Sequence, residues 1–125
     1  MLSEDMYQAN ILEHYRSPHN YGALEGHNIA IKDVNPLCGD IIEIQMIAEN
    51  GKIEDIRFLG KGCAISQASA SMLTDEVKGK LIDDVLKFDK DNILEMLGVE
   101  ISPARLKCAF LSLKVLRMCL YKATL

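Results

Sequence analysis

The chain has 125 residues, 49% hydrophobic and 26% charged, with a formal net charge of −4 at pH 7, which is the size and make-up of one globular domain with a modest core. It has no run of Lys or Arg longer than two residues, so a clustered basic face for phosphate is missing and nucleic acid is excluded as the main partner. No stretch approaches the roughly twenty apolar residues of a membrane span, and the start Met1-Leu2-Ser3-Glu4-Asp5 is acidic where a secretion signal is basic. A cytoplasmic protein with no membrane partner is expected.

Ser3 is placed to cap a first helix with Leu2 outside it, and Tyr7, Ile11, His14 and Tyr15 fall near one stripe at spacings of three and four. Pro18 ends this helix, and Ser17 to Gly22 reads as a turn. His14, His19 and His27 all lie early in the chain, and each reads as an exposed or hydrogen-bonded imidazole before it reads as a ligand. Alternating β-branched and polar residues then predict strands over 28–34, 41–48 and 53–59. Asn50-Gly51 is the sequence of a tight hairpin with positive φ angles, which puts Ile42, Ile44 and Met46 on one face with Ile56 and Phe58. A helix is expected over 64–78, with Met72 as core filler, Ala68 and Ser71 small enough for close packing, and Gly79 at its end. Shorter helices are expected over 81–88 and 91–97, stopped by Gly98, and a last one from Ser102-Pro103 to about Lys122. Its core stripe reads as Leu106, Phe110, Leu113, Leu116 and Leu120, with Cys108 off that stripe. The fold class is therefore α+β: a three-stranded antiparallel sheet packed against a layer of helices, in a single domain over 1–125.

Four cysteines, Cys38, Cys63, Cys108 and Cys119, carry no CxxC pair, and in a reducing compartment they point to metal binding or catalysis before disulfides. Cys63 lies in Gly60-Lys-Gly-Cys-Ala-Ile-Ser66, a strand-to-helix corner where the helix start favours thiolate. Cys38 lies in the turn Asn35-Pro-Leu-Cys-Gly-Asp40, with a carboxylate two residues on, and Cys108 lies near the start of the last helix. Cys119, eleven residues further, is about 16 Å along the axis from Cys108 and reads as a packing residue. If the hairpin end and the two helix starts meet, three thiols and Asp40 converge. Three soft sulfurs select zinc, iron or an iron–sulfur cluster over magnesium or calcium.

These motifs carry a resemblance. Tyr7, Glu13-His-Tyr15, the 18–22 turn, the two cysteine motifs just quoted continued through Ser71, and Pro103-Ala-Arg105 with Lys107-Cys108 resemble the U-type iron–sulfur cluster assembly scaffolds, also found as the N-terminal domain of nitrogen-fixation scaffold proteins. The resemblance implies that Cys38, Cys63 and Cys108 are the cluster-binding and persulfide-accepting thiols and that Asp40 is the carboxylate that completes or loosens the site. Lys107 stands where the housekeeping subfamily usually has a histidine, as in the zinc-binding sulfur-acceptor subfamily, but the interval from Cys63 to Cys108 is too short for that subfamily's insertion. The chaperone-recognition sequence Leu-Pro-Pro-Val-Lys is replaced by Ile101-Ser-Pro-Ala-Arg105.

The implied function is that of a scaffold, not an enzyme. It takes persulfide sulfur from a cysteine desulfurase, binds iron on the same thiolates, builds a labile 2Fe-2S cluster and passes it to recipient apo iron–sulfur proteins. A homodimer is expected when the cluster is bound, with zinc able to occupy the cluster-free form. Lys107, protonated near its reference pKa of about 10.4, is expected to pair with Asp40 and to lower the pKa of Cys108. The alternative is a zinc-dependent sulfurtransferase partner of the desulfurase, in which Cys38, Asp40, Cys63 and Cys108 hold zinc.

Overall fold

A computed structural model describes residues 4–125 of the chain. The expected cap at Ser3, with Leu2, lies outside the described residues. Helix α1 spans Glu4–Arg16, the strands are β1 Ile29–Asn35, β2 Asp40–Glu49 and β3 Lys52–Lys61, and helices α2 Ala64–Val77, α3 Ile82–Val85, α4 Lys90–Leu97 and α5 Leu106–Ala123 follow. A single 3-10 turn, Pro103–Arg105, leads into α5.

The sheet is antiparallel in the order β1-β2-β3. Asn50 (φ 54°) and Gly51 (φ 74°) both take the left-handed conformation of the tight hairpin turn that matches strand twist. That turn sets Ile44 opposite Phe58 and Met46 opposite Ile56. With period two along each strand, Ile42, Ile44, Met46, Ile56 and Phe58 come out on one face, and all five are fully buried. Each such side chain contributes about 1.5–3 kcal/mol of hydrophobic driving force. Helix α5 covers β1 and β2 on this face, while α2 covers β3 and is itself flanked by α1 and α5.

Helix α2 can sit so deep because its residues are small: Ala68, Ser69, Ala70 and Ser71 have no exposed surface. The Ser69 hydroxyl donates to the Ala109 carbonyl at 2.8 Å and lies 3.1 Å from the Ser112 hydroxyl. This pair pins α2 to α5 and fixes the start of one helix against the start of the other. The turn after α1 runs along the free edge of β3, where the Phe58 N–H donates to the Asn20 carbonyl and the Gly22 N–H donates to the Phe58 carbonyl.

Two expectations need correction. The helix expected over 81–88 shrinks to Ile82–Val85, because Leu81 instead bridges to Lys52 and the Lys80 carbonyl accepts from the Ile53 N–H, tying the segment to the hairpin. On α5, Leu106 and Phe110 are half-buried, while Cys108, Ala109, Ser112, Val115 and Cys119 are buried. The buried arc is wider than a single stripe because α5 packs against the sheet and against α2 together. Cys108 therefore faces inward, and Phe110 lies at the rim under the Lys90 ammonium, 5.2 Å from its ring centre.

Candidate metal centre

Three chain segments meet at one end of the sheet. The β1–β2 turn is closed by the Asn35–Asp40 pair and by the Gly39 N–H donating to the Asn35 carbonyl at 2.7 Å. It presents Cys38 at the surface and Asp40 at the root of β2. The pairing of Ile41 with Lys61 sets Asp40 beside the exit of β3, where the chain turns into α2. Gly62 makes that turn with φ 144°, and a Cβ there would run into the Asp40 carboxylate. Cys63 then caps α2 in an extended conformation (φ −71°, ψ 162°), with the free N–H groups and partial positive charge of the helix start around it.

Asp40 is the hub. One carboxylate oxygen accepts from the Cys63 backbone N–H at 2.9 Å. The other accepts from the Cys38 thiol at 3.0 Å and lies 3.6 Å from the Cys63 sulfur. The Cys38 and Cys108 sulfurs are 3.2 Å apart. The ligand atoms of Cys38, Asp40 and Cys108 all lie within 4.8 Å of one another, and Cys63 joins this group through Asp40. Exposure is graded across the site: Cys38 is exposed, Cys63 is half-buried, and Cys108 and Asp40 are buried.

The charges follow from this packing. Burial by itself raises the Asp40 pKa, but hydrogen bonds from Cys108, Cys38 and Cys63 outweigh it and hold the carboxyl below its ordinary value of 3.8. Asp40 is thus an anion at neutral pH. Burial first, then the contact with that carboxylate and with the other two thiols, pushes the Cys108 thiol well above its ordinary value. In the metal-free protein Cys108 is a thiol, and loading a cation there must release its proton.

Cys119 is not part of this site. It is fully buried in the core, 3.9 Å from the Ile44 carbonyl, and burial pushes its thiol up to about 12.

Lys107 is brought nowhere near the role expected of it. Among the described residues no ion pair joins it to Asp40, and Cys108 is shifted up, not down. Lys107 instead lines a groove with Pro36, Leu37 and Phe110. The cation that feels the site is the exposed Arg105, whose guanidinium is raised above its ordinary value chiefly by its interaction with the Cys63 sulfur, then by Cys108 and Asp40. Arg105 closes the exposed 3-10 turn that leads into α5, ahead of the helix that carries Lys107 and the buried Cys108.

A sequence profile of the NifU-like N terminal domain matches residues 6–123. The chain belongs to this family. Within the NifU-like N-terminal domains, it is 38% identical to the "Zinc-dependent sulfurtransferase SufU" of Bacillus subtilis, with 90% of this chain and 88% of the relative aligned. It is 35% identical to the "Iron-sulfur cluster assembly scaffold protein IscU 1" of Archaeoglobus fulgidus, with 90% and 72% aligned. Among solved structures, the "Putative iron-sulfur cluster assembly scaffold protein for SUF system" of Fervidobacterium islandicum superimposes with a TM-score of 0.74 at 27% identity, covering 95% of this chain and 99% of that one. The alignment with the sulfurtransferase runs over 130 positions, more than the whole 125-residue chain, so it places gaps in this sequence. The alignment with the A. fulgidus scaffold runs over 112 positions for the same 90% of the chain.

Proposed function

We propose that this NifU-like domain is a scaffold on which a 2Fe-2S cluster is assembled, held by Cys38, Cys63 and Cys108 with Asp40 as the oxygen ligand. The observation that carries the reading is the convergence of two sulfurs 3.2 Å apart, a third sulfur and a shared carboxylate at a site open on the Cys38 side. The sulfur source is a cysteine desulfurase. A scaffold thiolate attacks the outer sulfur of the enzyme's persulfide, the S–S bond breaks, and the desulfurase thiolate leaves. Converting that sulfur to sulfide takes two electrons from an external donor. Iron is delivered to the same thiolates as cargo, and the finished cluster leaves for recipient apoproteins.

Release is built into the ligand set. Four thiolates make a durable electron-transfer centre, whereas three plus a carboxylate leave one weaker bond that an incoming thiolate can replace. Asp40 is hydrogen-bonded to the Cys63 N–H and two thiols, which hold it in place for loading. A homodimer on cluster binding would supply further ligands from a second copy.

The second reading is a zinc-dependent sulfur acceptor. It is favoured by the 38% identity to the B. subtilis sulfurtransferase, and three sulfurs with one oxygen also suit tetrahedral zinc. Zinc would be held by the same four residues and would keep their thiols deprotonated. Against it stands the gapped alignment with that relative.

Anaerobic incubation of the apoprotein with ferrous iron, cysteine, a reductant and a cysteine desulfurase separates the two. The scaffold reading expects brown colour and a sulfur-to-iron charge-transfer band that Cys119→Ala retains. A colourless protein that keeps stoichiometric zinc and stimulates the desulfurase would replace it with the second reading.

A further inference from the structure

We propose that His14, His19 and Asp75 form a second metal site, for a divalent first-row transition ion, at the far end of α2 from the cysteines. One ligand atom from each of the three residues lies within 4.8 Å of the others. Two imidazoles and one carboxylate suit zinc, ferrous iron, cobalt or nickel, and they do not suit the all-oxygen preference of calcium or magnesium.

The ligands are held by a surrounding shell of hydrogen bonds, as metal-binding imidazoles and carboxylates are. Nδ1 of His14, a buried residue, is committed to the Ser71 hydroxyl at 2.7 Å, which leaves Nε2 as its free ring nitrogen. The same Ser71 oxygen accepts the backbone N–H of His19 at 2.7 Å, so one fully buried serine fixes both histidines. Their ring centres are 4.3 Å apart and tilted by 46°. Asp75 is held from its other side: Asn20 donates to one carboxylate oxygen at 2.8 Å, while the second oxygen meets His19 Nδ1 at 2.5 Å. Asn20, whose φ is 56°, also donates to the Thr74 hydroxyl at 3.1 Å.

Position on the helices favours a cation here. His14 lies in the last turn of α1 and Asp75 in the last turn of α2, so the partial negative charge of two helix C-termini adds to the carboxylate. Access is open as well. The side chains of His19 and Asp75 are 44% and 43% exposed, and His14 and Asp75 line a groove of about 800 Å³ with room for the water ligands that three protein donors leave to be supplied. The two sites are separate: Asp75 is twelve residues beyond Cys63, about 18 Å along the α2 axis. The proposal is independent of what the cysteines carry.

Cobalt distinguishes the two sites, because thiolate ligation gives intense charge-transfer absorption and nitrogen–oxygen ligation only weak visible bands. The full-length apoprotein, titrated anaerobically with Co²⁺ and followed by absorption and by metal content after gel filtration, should take two equivalents, one of them without thiolate charge transfer. His19→Ala and Asp75→Asn should each keep the thiolate-bound equivalent and lose the other. Asn20→Gly, which retains the positive φ, should weaken the second equivalent about 10-fold, as loss of an orienting partner does. A single equivalent in the unsubstituted protein would overturn the proposal and leave His19 and Asp75 as a plain ion pair. So would a second equivalent that survives unchanged in both His19→Ala and Asp75→Asn.

Discussion

The two ends of α2 gather the same kind of object, a cluster of metal-ligating side chains, by opposite electrostatic means. At the Cys63 end the helix offers free N–H groups and partial positive charge, and what collects there is anionic: the Asp40 carboxylate, held below its ordinary pKa, and sulfurs that become thiolates when loaded. At the Asp75 end the helix offers carbonyls, and what collects there is two imidazoles and a carboxylate, a set that could hold a cation. The first end is open on the Cys38 side, which is exposed, and under the proposed function its one oxygen ligand would be Asp40. At the second end Ser71 bonds both histidines and Asn20 holds the Asp75 carboxylate. A carboxylate stands at both ends, and the two groups differ in its companions: thiols around Asp40, imidazoles around Asp75.

That contrast can be broken one end at a time. The largest effect is expected from Cys63→Ala, which should abolish cluster formation on reconstitution while leaving the non-thiolate cobalt equivalent intact. Loss of both together would contradict the independence of the two ends. Next comes Gly62→Ala. It combines a φ of 144° with a Cβ pressed against Asp40, so urea unfolding should show a loss of about 1–3 kcal/mol, together with a lower cluster yield. An unchanged midpoint would mean that the corner does not depend on this close approach. Asp40→Ala should lengthen the lifetime of a formed cluster, and faster bleaching in the variant would remove Asp40 as the labile ligand.

Smaller effects sharpen the comparison. The neutral form of His14 is favoured in the fold by burial and then by the neighbouring His19, so its folded pKa lies below the ordinary 6.5. A depressed pKa contributes stability that is complete above 6.5 and is lost as pH falls from there through the folded value. With chelator present, the urea midpoint should therefore fall as pH is lowered below about 6.5, and His14→Asn should flatten that part of the slope. Smallest are the two cations near Cys108. Arg105→Gln should lower several-fold the preference of Cys63 for anionic iodoacetate over neutral iodoacetamide, by removing a positive charge that interacts with its sulfur, whereas Lys107→Gln should leave that preference unchanged.

The cysteine end was legible in the sequence because each thiol carries local punctuation: proline and glycine around Cys38, two glycines before Cys63, and proline at the helix start before Cys108. The strands were legible for a similar reason, since alternation and Asn50-Gly51 fix the register that brings Asp40 beside Gly62. What could not be read was which cation faces the site. Adjacency in sequence favoured Lys107, but the cation that interacts with the Cys63 and Cys108 sulfurs is Arg105, on the turn ahead of α5. The wide buried arc of α5 was hidden as well, because its width comes from packing against two neighbours and not from a single stripe. The histidine end left no local mark at all. His14, His19 and Asp75 come from one helix, a turn and another helix, and only the burial of small α2 residues such as Ser71 lets those segments approach.

The claim that everything else depends on is a single site of three sulfurs and one carboxylate. X-ray absorption at the zinc edge, on His19→Ala loaded with one equivalent of zinc, reads that donor set directly. Three sulfur neighbours at about 2.3 Å with one oxygen at about 2.0–2.2 Å is the predicted result. A first shell dominated by nitrogen and oxygen, or one that keeps all three sulfurs in Cys108→Ala, would contradict it.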